Sequence, residues 1–248
     1  MIVFRVFPRY FITFMALAGL LILAACSSGT EMRPGAPAAR LGTAWGEDVQ
    51  SRSGRVALDR LHRDPQVSIL SYSAAPGNGQ QIRELPMAGG DIGLRVIDED
   101  GRAWPIHRDG SSAHLQGRQD AQYILEYRNR SKSTYEIVVT VDGLDVVNGK
   151  PGSYKNRGYV LRGGEMLRIK GFRKSRDEVA AFRFSSVPDS YAANSDAGSV
   201  ANVGVIGTAL FALRDFDRAA GLRNCADGPC AFPASQTKNQ RDYAPAPN

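Results

Sequence analysis

Histidine and cysteine are both scarce: the 248-residue chain has three of each. The histidines, His62, His107 and His114, stand in no His-Glu-x-x-His string, and no Gly-x-Ser-x-Gly elbow is present. The sequence therefore carries no ready-made metalloprotease or serine-hydrolase motif. His107 and His114 flank Asp109-Gly110-Ser111-Ser112, where a Ser/His/Asp set could assemble, but such residues co-occur in loops routinely. Paired carboxylates for glycoside hydrolysis are defined by spatial separation, and no pair stands out in sequence. No catalytic residue, metal ligand or cofactor is assigned. Also missing is an apolar run of roughly 20 residues able to span a bilayer. No Lys/Arg tract with interleaved aromatics suggests nucleic acid, and no repeat of solenoid length is visible.

The first 25 residues have the make-up of an export signal. Arg5 and Arg9 give the positive start, and the uncharged FITFMALAGLLILAA follows. That run of about 15 residues suits the apolar core of a secretory signal better than a membrane span. It ends in Leu23-Ala24-Ala25-Cys26, which resembles the bacterial lipobox. The resemblance implies cleavage before Cys26 and a diacylglycerol on its sulfur. Ser27, where inner-membrane lipoproteins carry aspartate, implies sorting to the outer membrane. Several acyl chains on one cysteine make a durable anchor where a single chain is marginal.

Cys225 and Cys230 remain, separated by Ala-Asp-Gly-Pro. In an oxidising compartment such a pair defaults to a disulfide closing a small loop, and Asp227-Gly228-Pro229 is turn chemistry. A metal or redox pair is the alternative, but no further His or Cys lies nearby. The formal net charge is +6, and Arg5 and Arg9 contribute two of those charges. The exported part is only mildly basic, a weak pull toward anionic lipid headgroups or lipopolysaccharide.

Residues 26–64 are rich in Ser, Gly, Pro and Ala and predict a lipidated flexible tether. From there the signal is β. Residues 92–98 (IGLRVID), 121–127 (AQYILEY), 135–141 (YEIVVTV) and 178–184 (EVAAFRF) alternate with period two, the mark of half-buried strands. Residues 158–161, 166–172 and 203–211 predict further strands, the last apolar on both faces and therefore central. Glu99-Asp100-Gly101-Arg102 and Asp142-Gly143 are turn signals, and residues 103–106 predict a return strand. The one helical pattern lies at 210–222, and the polar tail from 231 predicts disorder. Asp142, Asp145 and Asn148 do not have the spacing of a calcium loop. Ser190-Tyr191-Ala192-Ala193-Asn194 fits a cover over one end of the sandwich.

Residues 123–211 carry the strings Val141-Asp142-Gly143-Leu144-Asp145-Val146, Gly171-Phe172-Arg173-Lys174-Ser175 and Asn202-Val203-Gly204-Val205-Ile206-Gly207. This pattern resembles an uncharacterised family of exported proteobacterial proteins. It implies a shared fold and supplies no catalytic residues.

The fold expected is all-β, a single antiparallel β-sandwich over 65–214, followed at 215–248 by a short helix, the disulfide loop and the tail. Alternation over 166–172 sends Arg168 and Lys170 outward, and Arg173, Lys174 and Arg176 follow closely. Together they predict a basic surface for an anionic partner: lipid, lipopolysaccharide or an envelope protein. The function expected is a non-enzymatic binding or accessory module held at the outer membrane. A structural subunit of an envelope assembly is the runner-up, and a hydrolase of envelope polymers stands third.

Overall fold

The computed structural model describes residues 40–55, 58–214, 230–231 and 243–248. The signal segment 1–25, Cys26 and Cys225 lie outside them, as do residues 215–229, which hold most of the expected helix.

Alternating branched and aromatic residues become strands throughout. In chain order these are β1 (Gly42–Gln50), β2 (Gly54–Arg55), β3 (Gln66–Ser73), β4 (Gln80–Ile82), β5 (Leu85–Met87), β6 (Ile92–Ile97), β7 (Ile106–Asp109), β8 (Ser112–Gln116) and β9 (Gln122–Asn129). They continue with β10 (Tyr135–Val141), β11 (Leu144–Asp145), β12 (Tyr159–Leu161), β13 (Met166–Ile169), β14 (Gly171–Arg173), β15 (Glu178–Ser185), β16 (Val205–Ala212) and β17 (Cys230–Ala231).

Two sheets result. The first runs β1-β15-β9-β6-β5, with β13 on β9 and β14 on β15. The second runs β2-β17-β12-β10-β16-β3-β8-β7-β4, with β11 on β10. Pairing is antiparallel except at β3–β8 and β2–β17, which are parallel. As its two apolar faces require, β16 sits inside the second sheet between β10 and β3. The sheets pack on the alternating residues Leu94, Val96, Leu125 and Phe182 of one and Ile137, Val139, Leu70 and Ile206 of the other. Tyr135, Val141 and Phe184 join the same core. Between the sheets the Tyr127 hydroxyl and Thr208 Oγ1 lie 2.8 Å apart.

The Asp142-Gly143 signal forms a two-residue hairpin between β10 and β11, with φ of 53° and 81°. Two positive φ values in succession define the type I′ turn, which favours Asp-Gly because glycine adopts them without strain.

Four expectations change. The predicted tether contributes β1, which pairs with β15 from Gly42↔Ser185 to Gln50↔Glu178. Leu41, Thr43 and Trp45 alternate there and turn into the core, a short period that the surrounding polar composition conceals. The single strand expected at 166–172 is two, broken at Lys170: β13 pairs β9 and β14 pairs β15. Gly171 permits the handover, because a Cβ there would sit 1.9 Å from the Ala180 carbonyl oxygen. Strand, not helix, continues to Ala212. Residues 243–248 dock against the domain: Ala244 N–H donates to Arg173 O at 2.9 Å and Asn248 N–H to Asn194 O at 2.8 Å.

Candidate functional site

The outward face of the first sheet gathers charge across strands. Register sets Arg95 of β6 opposite Glu126 of β9, and Glu126 opposite Arg168 of β13. Opposite residues share a face, so the three side chains meet. Arg95 Nη1 lies 2.9 Å from Glu126 Oε1, and Arg168 Nε lies 2.8 Å from Oε2. One register step away, Arg128 faces Met166 and Gly93. Arg128 is exposed and has no ion pair among the described residues. Lys170 continues the outward alternation of Met166 and Arg168 and is half-buried. Glu84 lies over Gly93 on the same face, paired with Arg130 at 2.7 Å, so two carboxylates stand among five cations.

The five cations adjacent in sequence do not form one surface. Arg168 and Lys170 face outward as expected, but Arg173 is 1 % exposed. Its Nε donates to the Tyr159 hydroxyl at 2.8 Å, and its Nη1 to Ser51 O at 2.7 Å. The guanidinium is fed by hydroxyl and carbonyl oxygens and ties β14 of one sheet to β12 of the other. Such oxygens are what a buried cation requires. Lys174 pairs with Asp48. Arg176 is exposed, and its Nε reaches Ser53 O at 3.4 Å. The physical reason is that residues 171–173, expected to open a turn, form the strand β14, where Phe172 and Arg173 are both buried, so nearness in sequence to Arg168 and Lys170 does not set the side of Arg173.

A cleft of about 460 Å³ opens at the end of this face, lined by residues of the 98–105 crossover together with Arg118, Ala121, Gln122 and Arg183. The return strand expected at 103–106 is why it exists. Toward β6 it makes the bridge Ile97↔Ala103 and the bond Trp104 N–H to Val96 O, 2.8 Å, while Pro105 O already accepts from Gln116 N–H at 3.0 Å. The chain then leaves for β7 in the second sheet, so the Asp98–Arg102 turn stands up as a wall. Arg102 braces that wall on Asp98 at 2.9 Å and Asp100 at 2.5 Å. Arg183 grips Glu47 with Nη2 at 2.7 and 2.8 Å, which holds the Glu47 carboxyl below its usual range. The Gln122 amide, turned so that its nitrogen faces the acids, donates to Glu99 at 2.9 Å and Glu47 at 2.6 Å. Trp104 meets Phe184 edge-on at 5.6 Å, and the Arg118 guanidinium lies 5.7 Å from the Trp104 ring, within cation–π range.

The other sequence candidates are structural in placement. His107 and His114 face each other across the β7–β8 hairpin. The His114 ring lies 3.1 Å from Ser71 Oγ and 3.0 Å from Ser73 Oγ. Asp109 is exposed and has no bond to either ring among the described residues. Asp145 accepts from Val147 N–H at 2.9 Å, Asn148 N–H at 3.0 Å and Asn156 Nδ2 at 3.1 Å. Its carboxylate is filled by its own turn, and burial raises its pKa to about 6. Tyr191 packs on Trp45 at 4.9 Å and Phe172 at 4.6 Å, so residues 190–194 do cover the core. No group of three or more metal-ligating side chains occurs among the described residues. Of Cys230 the backbone is described, paired with Val160 and Gly54.

Sequence reasoning missed Arg95, Arg128, Trp104 and Arg118. Cross-strand register carries the first two, and a crossover between sheets carries the others. Trp104-Pro105 after a tight turn was the available signal, since proline limits ladder pairing.

The chain matches no protein-family model, no curated protein and no solved structure. The fold and its two polar surfaces define an all-β sandwich with a cationic sheet face and an adjoining cleft.

Proposed function

We propose that this chain is an outer-membrane lipoprotein anchored through Cys26, a non-enzymatic binding or accessory module that sets the cationic face of its first sheet against an anionic envelope component. One observation carries the reading: Arg95, Arg128, Arg130, Arg168 and Lys170 outnumber the carboxylates Glu84 and Glu126 that share their sheet face. Each cation near an anionic surface contributes about 1 kcal/mol if it comes within a Debye length. A lipid anchor would hold the domain where such small terms act together.

Two measurements test this. Cys26→Ala should abolish incorporation of labelled fatty acid; persistent label would end the lipoprotein reading. The chain from Ser27 onward should bind anionic vesicles over neutral ones in a salt-sensitive manner. Arg128→Ser with Lys170→Ser should weaken that preference. Arg173 is left intact, because removing it disturbs the interior. Equal binding to both vesicle types, or by both proteins, would reduce the face to a solvated surface.

A second reading, a subunit of an envelope assembly, is favoured by β3. The parallel partner β8 covers Ser71 to Ser73 alone, so residues 66–70 keep one edge unpaired among the described residues. Val67 and Ile69 stand exposed there at 51 % and 61 %. Unpaired edges of this kind accept strands from other chains.

A further inference from the structure

We infer that the cleft around Trp104 is a binding site for a neutral glycan, a class of ligand to which the cationic face is indifferent and which does not depend on lipidation of Cys26. The argument is one of elimination by charge, then of fit. Three acids, Asp98, Glu99 and Asp100, and three arginines, Arg102, Arg118 and Arg183, line the space. Arg102 pairs with both Asp98 and Asp100, Glu99 is held by the Gln122 amide, and Arg183 is engaged by Glu47. A polyanion would meet three carboxylates, and a polycation three guanidiniums. An apolar ligand would strip water from all of these groups without replacing their hydrogen bonds.

A sugar ring meets each demand. Its hydroxyls both donate and accept, so they can bridge carboxylate acceptors and guanidinium donors in one plane. Its faces of C–H groups are apolar enough to lie on an indole. The cleft supplies both parts: Trp104 as the aromatic wall, and fixed donors and acceptors on the turn opposite. Those groups are already braced by ion pairs, which lowers the ordering cost of binding. Arg118 is the adaptable element. It is exposed, it lies over the Trp104 ring, and it has no carboxylate partner among the described residues. It can swing to close over a ligand without breaking an existing pair. The volume, about 460 Å³, lies within the roughly 300–1,000 Å³ typical of small-ligand sites. The walls present side chains and a closed turn.

The test uses the full chain in a sugar-free detergent and three probes. Oligomers of N-acetylglucosamine represent the glycan strand of a cell wall. Maltohexaose represents a neutral hexose chain, and a sulfated oligosaccharide serves as the charged comparator. Calorimetric titration should show saturable binding of at least one neutral probe and a weaker response to the sulfated one. The two neutral probes distinguish an amino-sugar polymer from a plain hexose chain as the source. Arg118→Ala, a surface change that spares the fold, should weaken binding about tenfold. Trp104→Phe should weaken it while leaving the melting curve close to wild type. Binding of the sulfated probe alone overturns the assignment of class. Absence of binding by both neutral probes, or equal binding by Arg118→Ala and wild type, overturns the site. Either failure leaves the vesicle measurement unaffected, so the two proposals fall separately.

Discussion

The Tyr72 hydroxyl donates to Asp142 Oδ1 at 2.6 Å inside the sandwich, and this one bond orders a chain of protons between the sheets. Thr43 Oγ1 lies 2.7 Å from both the Tyr72 and Tyr123 hydroxyls. The ionised carboxylate can only accept. Tyr72 therefore spends its proton on Asp142 and accepts from Thr43, and Thr43 accepts from Tyr123. Asp142 also takes the Thr43 and Gly204 N–H groups at 2.8 and 2.9 Å. Burial, and then the Asp142 charge, push both phenols well above their ordinary pKa.

The direction of that chain ranks its members. Tyr72→Phe removes a bond to a charged acceptor and should cost about 1.5–3 kcal/mol, whereas Tyr123→Phe removes a neutral one and should cost about 1. Asp142→Asn should exceed both, since its amide would oppose backbone donors. Denaturant melts of the three variants check the order; a Tyr123→Phe loss larger than that of Tyr72→Phe would reverse the assigned direction.

Phe182 is fully buried, stacked on Tyr123 at 5.3 Å and edge-on to Phe172 at 5.1 Å. Phe182→Ala should cost about 3–5 kcal/mol, the range for a large aromatic deleted from a packed core. Thermal melts monitored by near-ultraviolet dichroism report it directly, and an unchanged midpoint would contradict the packing described.

Asp145 gives the fold a pH response. Its carboxyl is raised by burial to about 6, above the ordinary value near 3.9. Between those limits the folded chain keeps a proton that the unfolded chain has released. Stability contributed by this group is therefore greatest below about pH 4 and declines as pH rises through 6, by about 3 kcal/mol. Asp142, also raised by burial, acts with the same sign. Asp145→Asn should lose the Asn156 bond at every pH yet show a shallower decline between pH 4 and 7. Parallel slopes for variant and wild type would exclude Asp145 as the source.

Cys225 and Cys230 should be joined in protein taken from an oxidising envelope, with a model-dependent gain of about 2–3 kcal/mol for so short a loop. Thiol-blocked, non-reducing mass spectrometry should find the linked peptide; two blocked thiols would reject the pairing.

The strands at 92–97, 122–129, 135–141 and 178–185 were legible because each repeats a local period of two with branched or aromatic residues, and the Asp142-Gly143 turn because its φ values demand that dipeptide. The strand at 42–50 was not, since the short alternation of Leu41, Thr43 and Trp45 among polar neighbours is lost in any average over composition. Arg173 deceived for a different reason. Its oxygen partner Ser51 lies 122 residues away, and no local rule anticipates a buried cation satisfied at that range. The cationic face was half visible: Arg168 and Lys170 came from alternation, while Arg95 and Arg128 needed register between strands. The cleft was invisible because it is assembled from a turn, a crossover and two separate strands.

The early start of β1 also shortens a leash. If Cys26 carries the lipid, residue 40, the first described residue of the domain, lies 14 peptide steps from the anchor, a covalent maximum of roughly 50 Å. A tether reaching to residue 64 would have allowed about 130 Å by the same measure. Such an anchor would confine the domain to a thin shell above its own leaflet, and a partner embedded elsewhere in the envelope would have to come to it.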